Sequence, residues 1–109
     1  MEKRRVVITG LGTVNPLGNN VADSWAAARA GNCGIGPITQ FDASSQKVSL
    51  AAEVKGFDAD ALLGKQEAKR MGRFTQFAMV SAREALADSG LNPEAEDLDR
   101  CGAVSYTHL

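Results

Sequence analysis

The stretch Arg5-Val6-Val7-Ile8-Thr9, followed directly by Gly10-Leu11-Gly12, decides the architecture. Four β-branched residues in succession favour an extended chain. Their lack of polar alternation predicts a strand buried on both faces of a sheet. Outward from it, Gly10 to Gly18 reads as a turn-rich loop, broken by Asn15-Pro16 and Gly18-Asn19-Asn20. Asn20 is placed to cap a helix over Val21 to Ala30, with Asp23 in the first turn and Gly31 as its stop. Val21, Trp25 and Ala28 share one side of that helix and predict its buried face.

Lys47 to Val54 alternates, with Val48, Leu50, Ala52 and Val54 on one face, and predicts a half-buried strand near a sheet edge. Asp58 to Leu63 reads as a short helical turn, capped by Asp58 and closed by Gly64. The longest helical signal covers Lys65 to Ser89, and Gly72 is expected to split or bend it. Beyond Gly72, Phe74, Phe77, Ala78, Ser81 and Ala85 form a stripe whose small members admit a close neighbour. Gly90 ends that helix, with Leu91 expected against Leu86. Asn92-Pro93-Glu94 opens a short capped turn, and Cys101 to Val104 predicts the start of another buried strand. Strands alternating with helices favour an α/β fold.

The composition suits an ordinary globular chain. Its 109 residues are 44% hydrophobic and 23% charged, which argues against wholesale disorder. Twelve Lys and Arg balance 13 Asp and Glu, so binding nucleic acid through overall charge is disfavoured. No run approaches the roughly 18 apolar residues of a membrane helix. Lys3-Arg4-Arg5 before the apolar run has the look of a signal peptide. Gly10, Gly12, Asn15 and Pro16 interrupt it, and a strand is preferred. Cys33 and Cys101 make neither a disulfide framework nor a zinc cluster, and a reducing cytoplasm is the expected setting.

Few residues are candidates for chemistry. Gly10-Leu11-Gly12 after a strand suggests a dinucleotide loop, but Asn15 stands where the third glycine belongs. Glycines serving a tight turn are the preferred reading, with a small nucleotide-binding α/β module as the alternative. A cysteine nucleophile needs a base. The single histidine, His108, lies in the terminal tail, so Cys33 and Cys101 are read as small fillers and no catalytic residue is assigned. Glu84, Asp88, Glu94, Glu96, Asp97 and Asp99 read as a solvated acidic face. Lys65, Lys69, Arg70 and Arg73 form a basic cluster opposed only by Glu67. Lys65, Lys69 and Arg73 would line one side of an unbroken helix.

Taken in order, Lys3 to Gly12, Asn15-Pro16-Leu17-Gly18, Trp25, Gly31 to Ile35, Phe41-Asp42, the strand ending at Val54, Lys69-Arg70-Met71 before Phe74, and Ala85-Leu86 to Leu91 resemble the start of the β-ketoacyl-acyl-carrier-protein synthases, above all the type II elongating enzymes. The resemblance spans residues 2–104. It implies a thiolase-like layered α/β fold, of which this chain holds part of the N-terminal half, and a homodimeric parent. It implies condensation of an enzyme-held acyl thioester with malonyl carrier protein, with loss of carbon dioxide, and no cofactor. The family's cysteine nucleophile, two histidines and lysine match no position here, so the chain alone is expected to be inactive. Lys65, Lys69 and Arg70 match positions where the family docks acyl carrier protein. A carrier-interaction module without chemistry is the other alternative. Gly72 stands where the family usually has an acid, a departure that falls at the local helix start. Residues 1–104 are expected to belong to the synthase domain. The tail 105–109 departs from the family, and Val104 to Leu109 reads like one frame of a transposon-derived sequencing adaptor, so it is expected to be non-native.

Overall fold

A computed structural model describes residues 1–105. The expectations for Tyr106 to Leu109, including His108, lie outside the described residues. Four helices and one hairpin follow in the order α1 (Val21–Arg29), β1 (Ile35–Pro37), β2 (Leu50–Ala52), α2 (Ala59–Leu63), α3 (Lys65–Lys69) and α4 (Arg73–Ser89). Two single turns of 3-10 helix, Pro93–Ala95 and Leu98–Arg100, complete the order.

Local capping chemistry sets most boundaries. The Asn20 side chain accepts the Asp23 N–H at 2.8 Å, and Asp58 accepts the Ala61 N–H at 3.0 Å. Gly64 has φ +86° and Gly90 has φ +67°, so each stop uses the left-handed freedom of glycine. Asn92 accepts the Glu94 N–H with Pro93 in the first position, as expected. The Leu91 N–H turns to the Ser89 Oγ at 3.1 Å, and Leu91 and Leu86 both stay exposed. Gly72, in extended backbone, separates α3 from α4.

The strands depart from expectation. β1 and β2 pair antiparallel, with Gly36 opposite Ala51. β1 escaped sequence reading because three residues ending in proline carry no periodic signal. β2 is shorter than Lys47–Val54, and its expected inner face is open, with Val48 and Leu50 more than half exposed. Arg5–Thr9 forms no strand, and Val6, Val7 and Ile8 are 88%, 61% and 83% exposed. A doubly buried strand draws its ladder from neighbours on both sides. Among the described residues the only strands are β1 and β2, which pair with each other. Cys101–Val104 is likewise exposed and without strand pairing.

Ala43, Leu63 and Ala68 are the buried apolar residues, and no large side chain is fully buried among the described residues. On α1 the expected face fails: Trp25 and Ala28 are exposed, while Ser24 is buried and Val21 and Ala27 are half-buried. The radius of gyration is 17.5 Å, against about 13 Å for a compact domain of ~100 residues. The described residues are a small α/β assembly with large apolar surfaces uncovered. No helix among them is long and apolar enough to cross a membrane.

Candidate functional site: the basic elbow and the glycine-lined loop

The basic cluster sits on the elbow between two helices. Lys65 opens α3, Lys69 closes it and Arg70 is its C-cap; all three are exposed. Cations at the end of a helix face the partial negative charge of its last carbonyls, a favourable arrangement. Lys65 and Lys69 share one face of α3. The expected row through Arg73 does not form, because the chain leaves the helix between Arg70 and Gly72. Arg73 is committed elsewhere. Its guanidinium lies 4.9 Å from the Phe77 ring centre and 5.9 Å from that of Phe57, and donates to the Val54 carbonyl at 3.3 Å. Phe57 and Phe77 meet edge to face at 4.9 Å.

The elbow is tied to α4 from within. Gln76 Nε2 donates to the Ala68 carbonyl at 2.9 Å and reaches the Met71 carbonyl at 3.4 Å. Arg83 donates to the Leu62 carbonyl at 3.2 Å, fastening the end of α2 to the same helix. Gln76 and Arg83 are positions that sequence reading passed over, since neither belongs to a recognisable motif.

The loop turns tightly at Asn15–Gly18, where the two residues exchange backbone hydrogen bonds at 2.9 and 3.1 Å, as the turn-rich reading expected, whereas Gly10–Thr13 is held against α4. Neither Gly10 nor Gly12 has positive φ. A Cβ on Gly10 would overlap the Ala85 carbonyl and lie 2.7 Å from the Ser89 nitrogen; one on Gly12 would overlap the Ser81 carbonyl. The glycines are therefore required by close approach, and Ser81, Ala85 and Ser89 are the small stripe that permits it. Alongside that stripe, Glu84 and Asp88 reach the loop backbone. Asp88 Oδ2 accepts the Leu11 N–H at 3.0 Å, Glu84 Oε2 the Thr13 N–H at 2.9 Å, and Glu84 Oε1 the Val21 N–H at 2.7 Å. This corrects the reading of both acids as part of a merely solvated face. It also leaves the Leu11 and Thr13 amides occupied, where a phosphate-binding loop would keep such groups free. Asn15, in the third-glycine place, donates to Thr13 Oγ1 and Ser24 Oγ and accepts the Leu17 N–H.

Cys33 and Cys101 are both free and exposed, so neither is a core filler. Among the described residues, no group of three or more His, Cys, Asp and Glu is placed to hold a metal. An open depression of about 560 Å³ is lined by Asn19, Asn20, Asp58, Leu62, Arg83 and Glu84 among others, and includes none of Lys65, Lys69 and Arg70.

Comparison with known proteins gives these features a family. Residues 3–106 match the model of the "Beta-ketoacyl synthase, N-terminal domain". A 3-oxoacyl-(acyl-carrier-protein) synthase 2 of Coxiella burnetii is 53% identical over 104 residues, covering 95% of this chain and 25% of that protein. One of the same name from Synechocystis sp. is 45% identical over 109 residues, covering 100% of this chain and 26% of that protein. The chain thus spans about a quarter of the length of these relatives. Among solved structures, the ishigamide ketosynthase/chain length factor superposes with a TM-score of 0.76 at 36% identity, over 85% of this chain and 23% of that one. The chain belongs to the β-ketoacyl synthase family and matches its N-terminal domain.

Proposed function

We propose that this chain is the N-terminal part of a 3-oxoacyl-acyl-carrier-protein synthase that elongates fatty acids. The parent enzyme would join an acyl group, held on its own cysteine, to malonyl carrier protein. A carbon–carbon bond forms at the acyl carbonyl as carbon dioxide leaves, and the cysteine thiol is freed. The observation that carries this reading is the 53% identity to a synthase of that name, over 95% of the chain. The uncovered apolar surface of Val6, Val7, Ile8, Leu50 and Val104 fits a domain built to be packed against more protein. A thiolase-like two-half architecture, a homodimeric parent and a cytoplasmic setting belong to the same proposal. So do a synthase domain over residues 1–104, a foreign tail over 105–109, and the absence of the reaction's cysteine and histidines from this chain.

Lys65, Lys69 and Arg70 are the proposed docking charges for acyl carrier protein. They are exposed cations on a short, well-anchored elbow, suited to steer an acidic partner without tight binding. The test uses the full-length synthase carrying this domain and compares carrier-bound substrate with a small thioester. Lys69→Glu combined with Arg70→Glu should raise the KM for the carrier substrate and flatten its salt dependence. Equal losses on both substrates would make the cluster structural.

A further inference from the structure

We infer that Gln76 is the positioning residue of the docking pair, an inference that rests on the carrier-docking reading of Lys69 and Arg70. Those two residues lie between Ala68 and Met71, and the Gln76 amide nitrogen bridges the carbonyls of both, at 2.9 and 3.4 Å. A primary amide carries two N–H donors on one nitrogen, so a single side chain can hold both carbonyls.

The need for such a clasp follows from the local structure. α3 has only five residues, and a helix that short leaves most of its final carbonyls without partners and frays readily. Arg70 donates to the Glu67 and Ala68 carbonyls, and Met71 returns to Ala68 at 3.3 Å. Beyond Met71 the chain turns into the extended Gly72. The backbone that carries Lys69 and Arg70 would be held on one side only. Gln76 supplies the other side from a rigid place: it is in the first turns of the 17-residue α4, with its own N–H donated to the Gly72 carbonyl at 3.0 Å. Ala68, whose carbonyl it holds more closely, is 4% exposed and Gln76 is half-buried, so that bond is partly shielded from water.

The clasp fixes where two mobile cationic side chains begin, which reduces the ordering that docking demands. It carries no charge. Its loss should therefore shorten the life of the complex and leave long-range steering intact.

The test measures steady-state kinetics of the full-length synthase on carrier-bound and small thioester substrates across a salt series. Gln76→Met removes both donors at similar volume, and Gln76→Glu keeps the shape but turns an acceptor toward two carbonyls. Either should raise the KM for the carrier substrate about three- to tenfold, the range expected for loss of one or two hydrogen bonds. The slope of that KM with salt should stay as in the parent, and turnover of the small thioester should stay within about twofold. Lys69→Glu with Arg70→Glu, run in parallel, should change the slope. An unchanged carrier KM in both Gln76 variants, while charge reversal raises it, overturns this inference and leaves the docking reading standing. An unchanged carrier KM on charge reversal overturns the docking reading and this inference with it. Equal losses on both substrates in the Gln76 variants assign Gln76 a structural role and also overturn it.

Discussion

Gly12 lies so close to Ser81 that any Cβ at position 12 would occupy the space of the Ser81 carbonyl oxygen, and would stand 2.8 Å from the Ala85 nitrogen. Both obstacles are backbone of a 17-residue helix, and neither can rotate away. In the full-length synthase, Gly12→Ala is expected to destabilise by about 1–3 kcal/mol through overpacking. Gly36→Ala has nothing within 4 Å of its new Cβ and should stay within about 0.5 kcal/mol of the parent. Chemical denaturation checks the pair, and similar midpoints for the two variants would sink the close-approach argument.

Glu84 accepts one amide on each carboxylate oxygen, joining the loop at Thr13 to the first residue of α1 at Val21. Glu84→Gln keeps one acceptor and faces the other N–H with an amide donor. A loss of about 1–3 kcal/mol is expected in the same assay. Glu94→Gln, on an exposed turn, serves as a comparison that should change little.

The hairpin holds a pH-dependent contact. Glu53 lies below the usual carboxylate range, chiefly because the Thr39 hydroxyl donates to it at 2.8 Å, with the Thr39 and Gln40 amides adding to the effect. A carboxyl that ionises more easily folded than unfolded stabilises the folded state at neutral pH. That contribution is lost as pH falls through the folded titration range of Glu53. Thr39→Val removes the largest cause, so carbon-13 NMR should show Glu53 titrating at higher pH than in the parent. An identical titration curve would contradict the assignment.

Arg73 belongs to the structure more than to the docking face. Replacing it with alanine removes the guanidinium from Phe57 and Phe77 and its bond to the Val54 carbonyl. The expected loss of stability is about 0.5–1 kcal/mol. Lys65→Ala, at an exposed position, should be close to neutral. Thermal unfolding of both variants decides between them, and the reverse order would overturn the structural assignment of Arg73.

What the sequence made legible was chemistry that acts within a few residues. Asn20, Asp58 and Asn92 cap the elements they precede, Gly31, Gly64 and Gly90 adopt positive φ at stops, and Gly72 divides the long helical signal. The elbow that carries Lys65, Lys69 and Arg70 was readable for the same reason. Relations between distant segments were not. Val6, Val7 and Ile8 announce burial, but burial needs a cover that residue pattern cannot supply. Glu84 and Asp88 resemble any exposed acid until the loop amides of Leu11 and Thr13 are brought against them. The same holds for Gln76, whose partners are main-chain carbonyls and leave no trace in side-chain pattern.

The bonds from Leu11 to Asp88 and from Thr13 to Glu84 span 77 and 71 residues of chain. Translation at about 5–20 residues per second puts roughly 4–15 seconds between the emergence of the first segment and of its acceptors. Through that interval the β-branched run Val6 to Thr9 leaves the ribosome with no α4 on which the glycines beside it can settle. Its earliest partners in the cell are whatever holds nascent apolar chain. The pace of decoding between Thr13 and Glu84, a property of codons and not of amino acids, sets how long that custody lasts.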